Sequence, residues 1–218
     1  MKQKQYSLTP PVIPGELVQF VDGFIDDESY GYLEVGARQL AAQTYNSIVI
    51  EGSKFQTSVL GGAIFKDCKF TNLRFDGCDA ANGRIDKSIF ERVEFLKCRM
   101  TGFKALECNF RDVLFKDCQM KLSQFRMSTF KNIIFDHCIL EEADFYGATM
   151  VNVQFIDCEL LKSEFSASKL SEVDFRSSKL EGINIAAENL KGAIIDPSQL
   201  PSLGHLLGAR IEWKKALE

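Results

Sequence analysis

Seven cysteines and two histidines are the residues of this chain best suited to chemistry. Thiols with imidazoles can hold zinc, but structural zinc sites draw on close pairs such as CxxC, and the sequence has none. A disulfide framework belongs to small secreted domains in an oxidising compartment. A catalytic thiol needs exposure and a basic neighbour. The spacing points elsewhere. Cys78, Cys98, Cys118, Cys138 and Cys158 stand twenty residues apart, and Cys68 and Cys108 fall on the same five-residue grid. One rule, a small side chain turned inward every fifth residue, places all seven as buried filler. His137 sits beside Cys138 at an outward position, within reach of Asp136 and Asp157, and is expected to be a solvated histidine. His205 reads as an exposed residue of a short helix. No GxSxG, Walker loop, GxGxxG after a strand or HExxH occurs. The expectation is a protein that is not an enzyme, with no metal and no cofactor.

The grid that carries the cysteines organises most of the chain. Every residue whose number is a multiple of five, from Leu40 to Leu200, is apolar: all 33 of them. Composition alone would give about fifteen. Fifteen of the 18 Phe stand in this register. The position two before each is mostly Ala, Cys, Ser, Gly or Val. So each pentapeptide turns one large and one small side chain inward and three outward. A helix repeats near 3.6 residues and a strand at 2, so neither fits. A longer period is superimposed. Leu73, Val93, Val113, Ile133, Val153 and Val173 recur every twenty residues, as five of the cysteines do. Four sides of five residues make one turn of a square coil. Stacked turns lie about 4.8 Å apart, as in parallel ladders. Phe103 breaks the rule by occupying a small position, but the large position of its pentapeptide is Ala105, so the volume is conserved by exchange.

Phrases such as Glu142-Ala143-Asp144-Phe145-Tyr146 and Lys191-Gly192-Ala193 resemble the pentapeptide-repeat family, with its A(D/N)Lxx motif. The resemblance covers about residues 38–200. It implies an all-β fold, a right-handed quadrilateral parallel β-helix. The unbroken register predicts about eight coils without protruding loops, a rod of roughly 38 Å. Gln43 and Ile48, where small residues belong, make the register before about Ser53 less regular. Residues 1–37, with Pro10, Pro11 and Pro14, break the period and are expected to hold an N-terminal cap. Residues 201–218 are expected to form a C-terminal cap, because solenoid ends need covering. Asp196-Pro197 reads as the start of its helix, with Leu200, Leu203, Leu206 and Leu207 over the last coil and Gly208 at its end.

Composition limits the function classes. The chain has 218 residues, 45% of them hydrophobic, and a net charge of −4. That fits a globular protein rather than a disordered one. No apolar run approaches ~18 residues, so no membrane span is expected. The first twenty residues lack the apolar core of a secretory signal, so a cytoplasmic location is expected. An acidic chain is not a general nucleic-acid binder. A convex rod also lacks the concave pocket that small molecules use.

The surface suggests a protein partner. Residues 53–131 carry fifteen Lys/Arg and nine Asp/Glu, for +6; residues 132–200 carry five and twelve, for −7. The acidic half holds Asp136, Glu141, Glu142, Asp144, Asp157 and Glu159, which could steer onto a basic partner. Leu96, Ile139, Tyr146, Ile156 and Leu161 are apolar residues at outward positions, as are Leu114, Ile134 and Val151. The last three are expected on one side in successive coils and mark the candidate partner surface. The reading is a rigid protein-binding scaffold. The alternative implied by the resemblance is the Qnr-type branch, proteins that imitate duplex DNA, bind DNA gyrase or topoisomerase IV and protect them from quinolones or toxins. The basic first half departs from a mimic that is acidic throughout. The resemblance also implies a homodimer through the C-terminal cap, for which Leu203, Leu206, Leu207 and Trp213 are the apolar candidates.

Overall fold

A computed structural model describes residues 7–207 of the chain, apart from the side chains of His205 and Leu207. Its backbone is a four-sided parallel solenoid of about seven turns, close to the eight expected, ending in a short helical segment. The corners explain the period. From Ala42 to Glu172 every fifth residue has a positive φ, near +50 to +70°. Each such residue turns the chain through one corner, and two inward side chains fit on the straight side that follows. Left-handed backbone costs an L-residue roughly 1–2 kcal/mol. Most of the corners are nevertheless not glycine, and Leu122 and Met127 are among them.

Strand pairing confirms the twenty-residue turn. Ile89–Leu96 lies parallel between Lys69–Asp76 and Asn109–Lys116, and Phe90 pairs with Phe70 and Phe110. The ladder continues through Thr129–Asp136, Thr149–Ile156 and Lys169–Asp174. Each eight-residue strand bends round one corner and so covers two sides. The other two sides carry three-residue strands such as Arg84–Asp86 and Lys104–Leu106, or single bridges.

Because like residues stack on like, the core consists of columns. Phe75, Phe95, Phe115, Phe135, Phe155 and Phe175 form one, with ring centroids 4.8–5.1 Å apart and planes within 7° of parallel. A second runs Phe70, Phe90, Phe110, Phe130, and a third Phe125, Phe145, Phe165. Rings of different columns meet edge to face, as Phe155 and Phe165 do at 86°. Both arrangements suit the ring quadrupole. Phe103 and Ala105 are both buried, as the size exchange requires. Ala80 also occupies a large position but has no compensating neighbour, and an apolar cavity of about 40 Å³ opens there, lined by Ala80, Gly83, Phe70, Phe90 and Phe103 among others.

The ends differ from expectation. The ladder begins before residue 38: Ser29–Gly31 pairs with Val49–Glu51, and Leu33–Val35 with Lys54–Gln56. The register also holds through the irregular stretch, since Thr44–Asn46 pairs with Ile64–Lys66 and Ile48 is fully buried. The break comes at Val18–Gln19, which pairs with Leu33 and Glu34, only fifteen residues on. One side of the turn is missing there, and Phe20 and Phe24 stack at 4.5 Å to plug the open end. Thr9 and Val12 then run along a corner of the rod. Their N–H groups donate to Asp112 Oδ1 at 3.4 Å and to Asn72 Oδ1 at 3.2 Å.

At the other end the inward register stops before Leu200, which is 55% exposed. The chain has left the coil by then. Asp196 caps the segment by accepting from the Ser198 N–H, while Gln199 Oε1 accepts from the Asp196 N–H. Gln199 is buried, and its Nε2 donates to the carbonyls of Phe175 and Ser178, groups at the end of the ladder. Leu203, 5% exposed, completes the plug, and Leu206 packs partly against it. Gly208 and Trp213 lie outside the described residues.

Candidate interaction surface

Each coil presents four sides, named here from the turn that begins at Cys78. Side A is 78–81, side B 83–86, side C 88–91 and side D 93–96, and each recurs every twenty residues. Outward residues flank the large inward one. The inward cysteines can be placed first. Cys78, Cys98, Cys118, Cys138 and Cys158 form one column under side A, and Cys68 and Cys108 belong to the column under side C; all are buried and none is bonded to another. They do more than fill space. The Cys98 Sγ–H is shared between the Phe75 and Leu96 carbonyls at 3.6 and 3.4 Å, and Cys118 and Cys138 repeat the pattern. Serines in the same columns make stronger versions: Ser128 Oγ donates to the Ala105 carbonyl and Ser178 Oγ to that of Phe155, both at 2.9 Å. The sequence rule "small" thus conceals a second requirement, a donor for a carbonyl of the coil below.

The Cys98 and Cys108 thiols stay protonated. Contact with Cys118 and desolvation push Cys98 up to about 12, and burial does the same to Cys108. Thiolate is the nucleophilic and metal-binding form. Among the described residues no group of three His, Cys, Asp or Glu could hold a metal ion. His137 is an exposed corner residue as expected. Its Nδ1 lies 2.5 Å from Asp136 and its Nε2 3.7 Å from Asp157. The hydrogen bond to Asp136 raises the imidazole above its ordinary value.

The candidate acidic residues are distributed over several sides. Glu141 and Glu159 are on side A, Asp157 and Glu142 on the two corners that bound it, Asp144 on side B and Asp136 on side D. Most face a base one coil away. Lys116 meets Asp136 at 2.7 Å, Lys121 meets Glu141 at 2.9 Å and Lys179 meets Glu159 at 2.8 Å. Arg126 lies 3.6 Å from Asp144 and over the Tyr146 ring at 4.8 Å. The fold brings residues twenty apart together, so the acidic half is laced with pairs rather than uniformly negative. Burial works against the Asp136 carboxylate, but the hydrogen bonds from Lys116 and His137 win and hold it below its ordinary value.

The apolar candidates divide differently from expectation. Leu114 and Ile134 are direct ladder partners on side D. Val151, 38% exposed, pairs with Lys131 on side C, beyond the corner at Asn152. A corner every fifth residue separates positions only three apart in sequence. Leu96 and Ile156 do join side D, giving it four half-buried aliphatic side chains. The C-terminal dimer candidates are also altered: Leu203 is committed to the core and has no surface for a second copy. The Leu207 side chain and Trp213 lie outside the described residues.

A four-sided solenoid with a filled aromatic core, corners at a fixed five-residue interval and ladder-paired sides defines a repeat protein. The family model described as a pentapeptide repeat region matches residues 88–153 and 128–202, more than half of the chain. The protein belongs to the pentapeptide-repeat family. No curated protein matches the chain. Among solved structures, a trypsin-treated variant of QnrB1, a plasmid-mediated fluoroquinolone resistance protein, is 18% identical over 85% of this chain and 100% of its own, with a TM-score of 0.37. HetL, a pentapeptide repeat protein involved in heterocyst differentiation regulation in the cyanobacterium Nostoc sp. strain PCC 7120, is 12% identical over 84% of this chain and 90% of its own, with a TM-score of 0.39. These low identities and scores add nothing to the family assignment, which rests on the repeat and its model. No helix among the described residues is long and apolar enough to cross a membrane.

Proposed function

We propose that the protein is a non-enzymatic scaffold, a rigid rod that binds a protein partner through its outer faces. The observation that carries this reading is the uninterrupted run of corners from Ala42 to Glu172. It leaves no loop to form a cleft and makes the flat sides the available binding surface. Side A with its bounding corners is the face we assign to the partner, because Asp157, Glu159, Glu141 and Glu142 converge there with Ile139 and Leu161. Pairing with Lys121 and Lys179 leaves a face of alternating charge, suited to a partner protein with its own alternating pattern.

The DNA-mimic alternative fits less well. A surrogate for duplex DNA needs phosphate-like negative charge along its length, whereas here the first half is net basic and Asp136, Glu141, Asp144, Glu159 and Asp174 of the second each lie beside a Lys or Arg. The test uses both readings. Tagged full-length protein and an E141K/E159K variant are used to capture partners from native extract, and the captured proteins are compared. A partner retained by the wild type and lost by the variant supports the scaffold on side A; capture of the same proteins by both refutes it. Titration into a gyrase supercoiling assay, with and without ciprofloxacin, addresses the alternative. Neither inhibition nor protection at micromolar protein would remove it.

A further inference from the structure

Side D carries a pattern that reads as its own complement when reversed. Along its six best-formed coils the residues flanking the inward phenylalanine are Arg74 and Asp76, Glu94 and Leu96, Leu114 and Lys116, Ile134 and Asp136, Gln154 and Ile156, Asp174 and Arg176. About the midpoint between Phe115 and Phe135, each coil matches its counterpart in chemistry. Leu114 answers Ile134, and Leu96 answers Ile156. Lys116 answers Asp136, and Asp76 answers Arg176, while Asp174 is buried at 5% exposure and held by its own Arg176. Glu94 faces Gln154, a neutral hydrogen-bonding group. The corner that follows side D continues the pattern, since Lys97 answers Asp157 and Asp117 answers His137.

An isologous two-fold contact needs a surface complementary to itself under rotation. A two-fold axis along the strand direction, at the midpoint of side D, turns one rod antiparallel to the other and lays each column of outward residues against its own copy. From this self-complementarity we infer that side D is an interface to a second copy of this chain, arranged antiparallel.

Apolar and charged residues are interleaved across the contact: the two central coils bring Leu114 and Ile134 beside Lys116 and Asp136, and Leu96 and Ile156 follow one coil further out on each side. In each chain Lys116 already meets Asp136 at 2.7 Å. Across the axis the two pairs become a closed square of alternating charge. Asp76 of one copy meets Arg176 of the other, where Arg176 also holds its own Asp174 at 2.6 Å. Side A shares some of the charge inversion, but its centre is Gln119, Ile139, Lys121 and Glu141, with no apolar block. The area is small. Six coils at about 4.8 Å extend over roughly 24 Å between the first and last, on a side one pentapeptide wide, which places the contact below the standard interface size. The dimer is therefore weak, forming at micromolar to submillimolar concentrations, and sensitive to salt. It does not depend on the scaffold reading and leaves side A open.

The test is sedimentation equilibrium of the full chain over that concentration range. The expected result is a monomer–dimer equilibrium that weakens as NaCl rises from about 0.05 M to about 0.5 M, since salt screens the charge pairs between the copies. K116E sets a carboxylate against Asp136 of the second copy, and D136K sets an ammonium group against Lys116 of the second copy. Each variant alone is expected to weaken dimerisation about tenfold or more. Mixing the two restores opposite charge at both contacts, so the mixture dimerises again. That rescue also shows that neither variant is misfolded. E141K, on side A, leaves the equilibrium unchanged. A wild type that stays monomeric at submillimolar concentration and low salt overturns the inference. So does a dimer indifferent to K116E and D136K, or one that E141K breaks instead.

Discussion

The central phenylalanine column can be tested at its most enclosed ring. Phe115 is fully buried, stacked on Phe95 at 4.9 Å and on Phe135 at 4.8 Å, with Phe125 meeting it at 69°. Phe115→Ala removes the ring and both stacks. Burial and cavity terms for Phe→Ala in a core are about 3–5 kcal/mol. A solenoid relaxes poorly at its middle, because the coils above and below are held at ladder spacing by backbone hydrogen bonds, so the upper part of that range, about 4–5 kcal/mol, is expected. Phe175 supplies the internal comparison. It ends the column, stacked only on Phe155 at 5.1 Å. One aromatic partner is worth about 0.5–1.5 kcal/mol beyond area, so Phe175→Ala should cost less than Phe115→Ala by about that amount. The assay is urea unfolding followed by far-ultraviolet circular dichroism. A lesion in the middle of a nearest-neighbour array should also uncouple its two halves, giving a broader transition and a lower m-value for Phe115→Ala alone. A cost below about 2 kcal/mol for Phe115→Ala, or equal costs at both sites with unchanged m-values, would refute the argument that stacked columns hold the coils together.

Three other outcomes follow from particular residues. Phe103→Ala should cost about 3–5 kcal/mol and Ala105→Phe should overpack at about 1–3 kcal/mol, while the double variant restores most of the loss; additive costs in the denaturation cycle would show that the two sites do not share one volume. Leu122 is an exposed corner at φ +60°, so Leu122→Asn, a residue tolerant of that backbone, should raise stability by about 1 kcal/mol, and a lowered melting temperature would count against the corner argument. Asp136 raises His137 above its ordinary value, so the imidazolium favours the folded state. That contribution is complete below pH about 6.5 and is lost as pH rises through the raised folded value. An NMR titration of the His137 ring should give a midpoint above the ordinary one that returns towards it in D136N, and an unchanged midpoint would contradict the Asp136 contact.

The candidate surface is only partly legible in the residues. The five-residue grid correctly places Asp136, Glu141 and Glu159 outward. Reading them as an acidic field, however, overlooks that position i+20 lies directly beside position i, which sets Lys116, Lys121 and Lys179 against them. Grouping Val151 with Leu114 and Ile134 by coil number misses the corner that divides them. The carbonyl-bonding role of the cysteines is readable from the serines that replace them at positions 58, 88, 128 and 178, since a hydroxyl at an otherwise apolar inward site implies a buried partner.

The register of the coils is set by the amino-acid sequence alone, from about Leu40 to Ile185. Each inward choice there is local and repeated, so one misplaced side chain cannot shift the rest. The ends are decided by tertiary structure, because no period reaches them. Val12 finds Asn72 sixty residues on, Gln199 reaches back to Phe175, and Leu200 and Leu203 exchange the roles that the grid would assign. A repeated unit meets the same neighbours everywhere and so carries its environment in its own spacing. A cap has a unique environment, whose donors, acceptors and apolar surface exist only after the coils beneath it have formed.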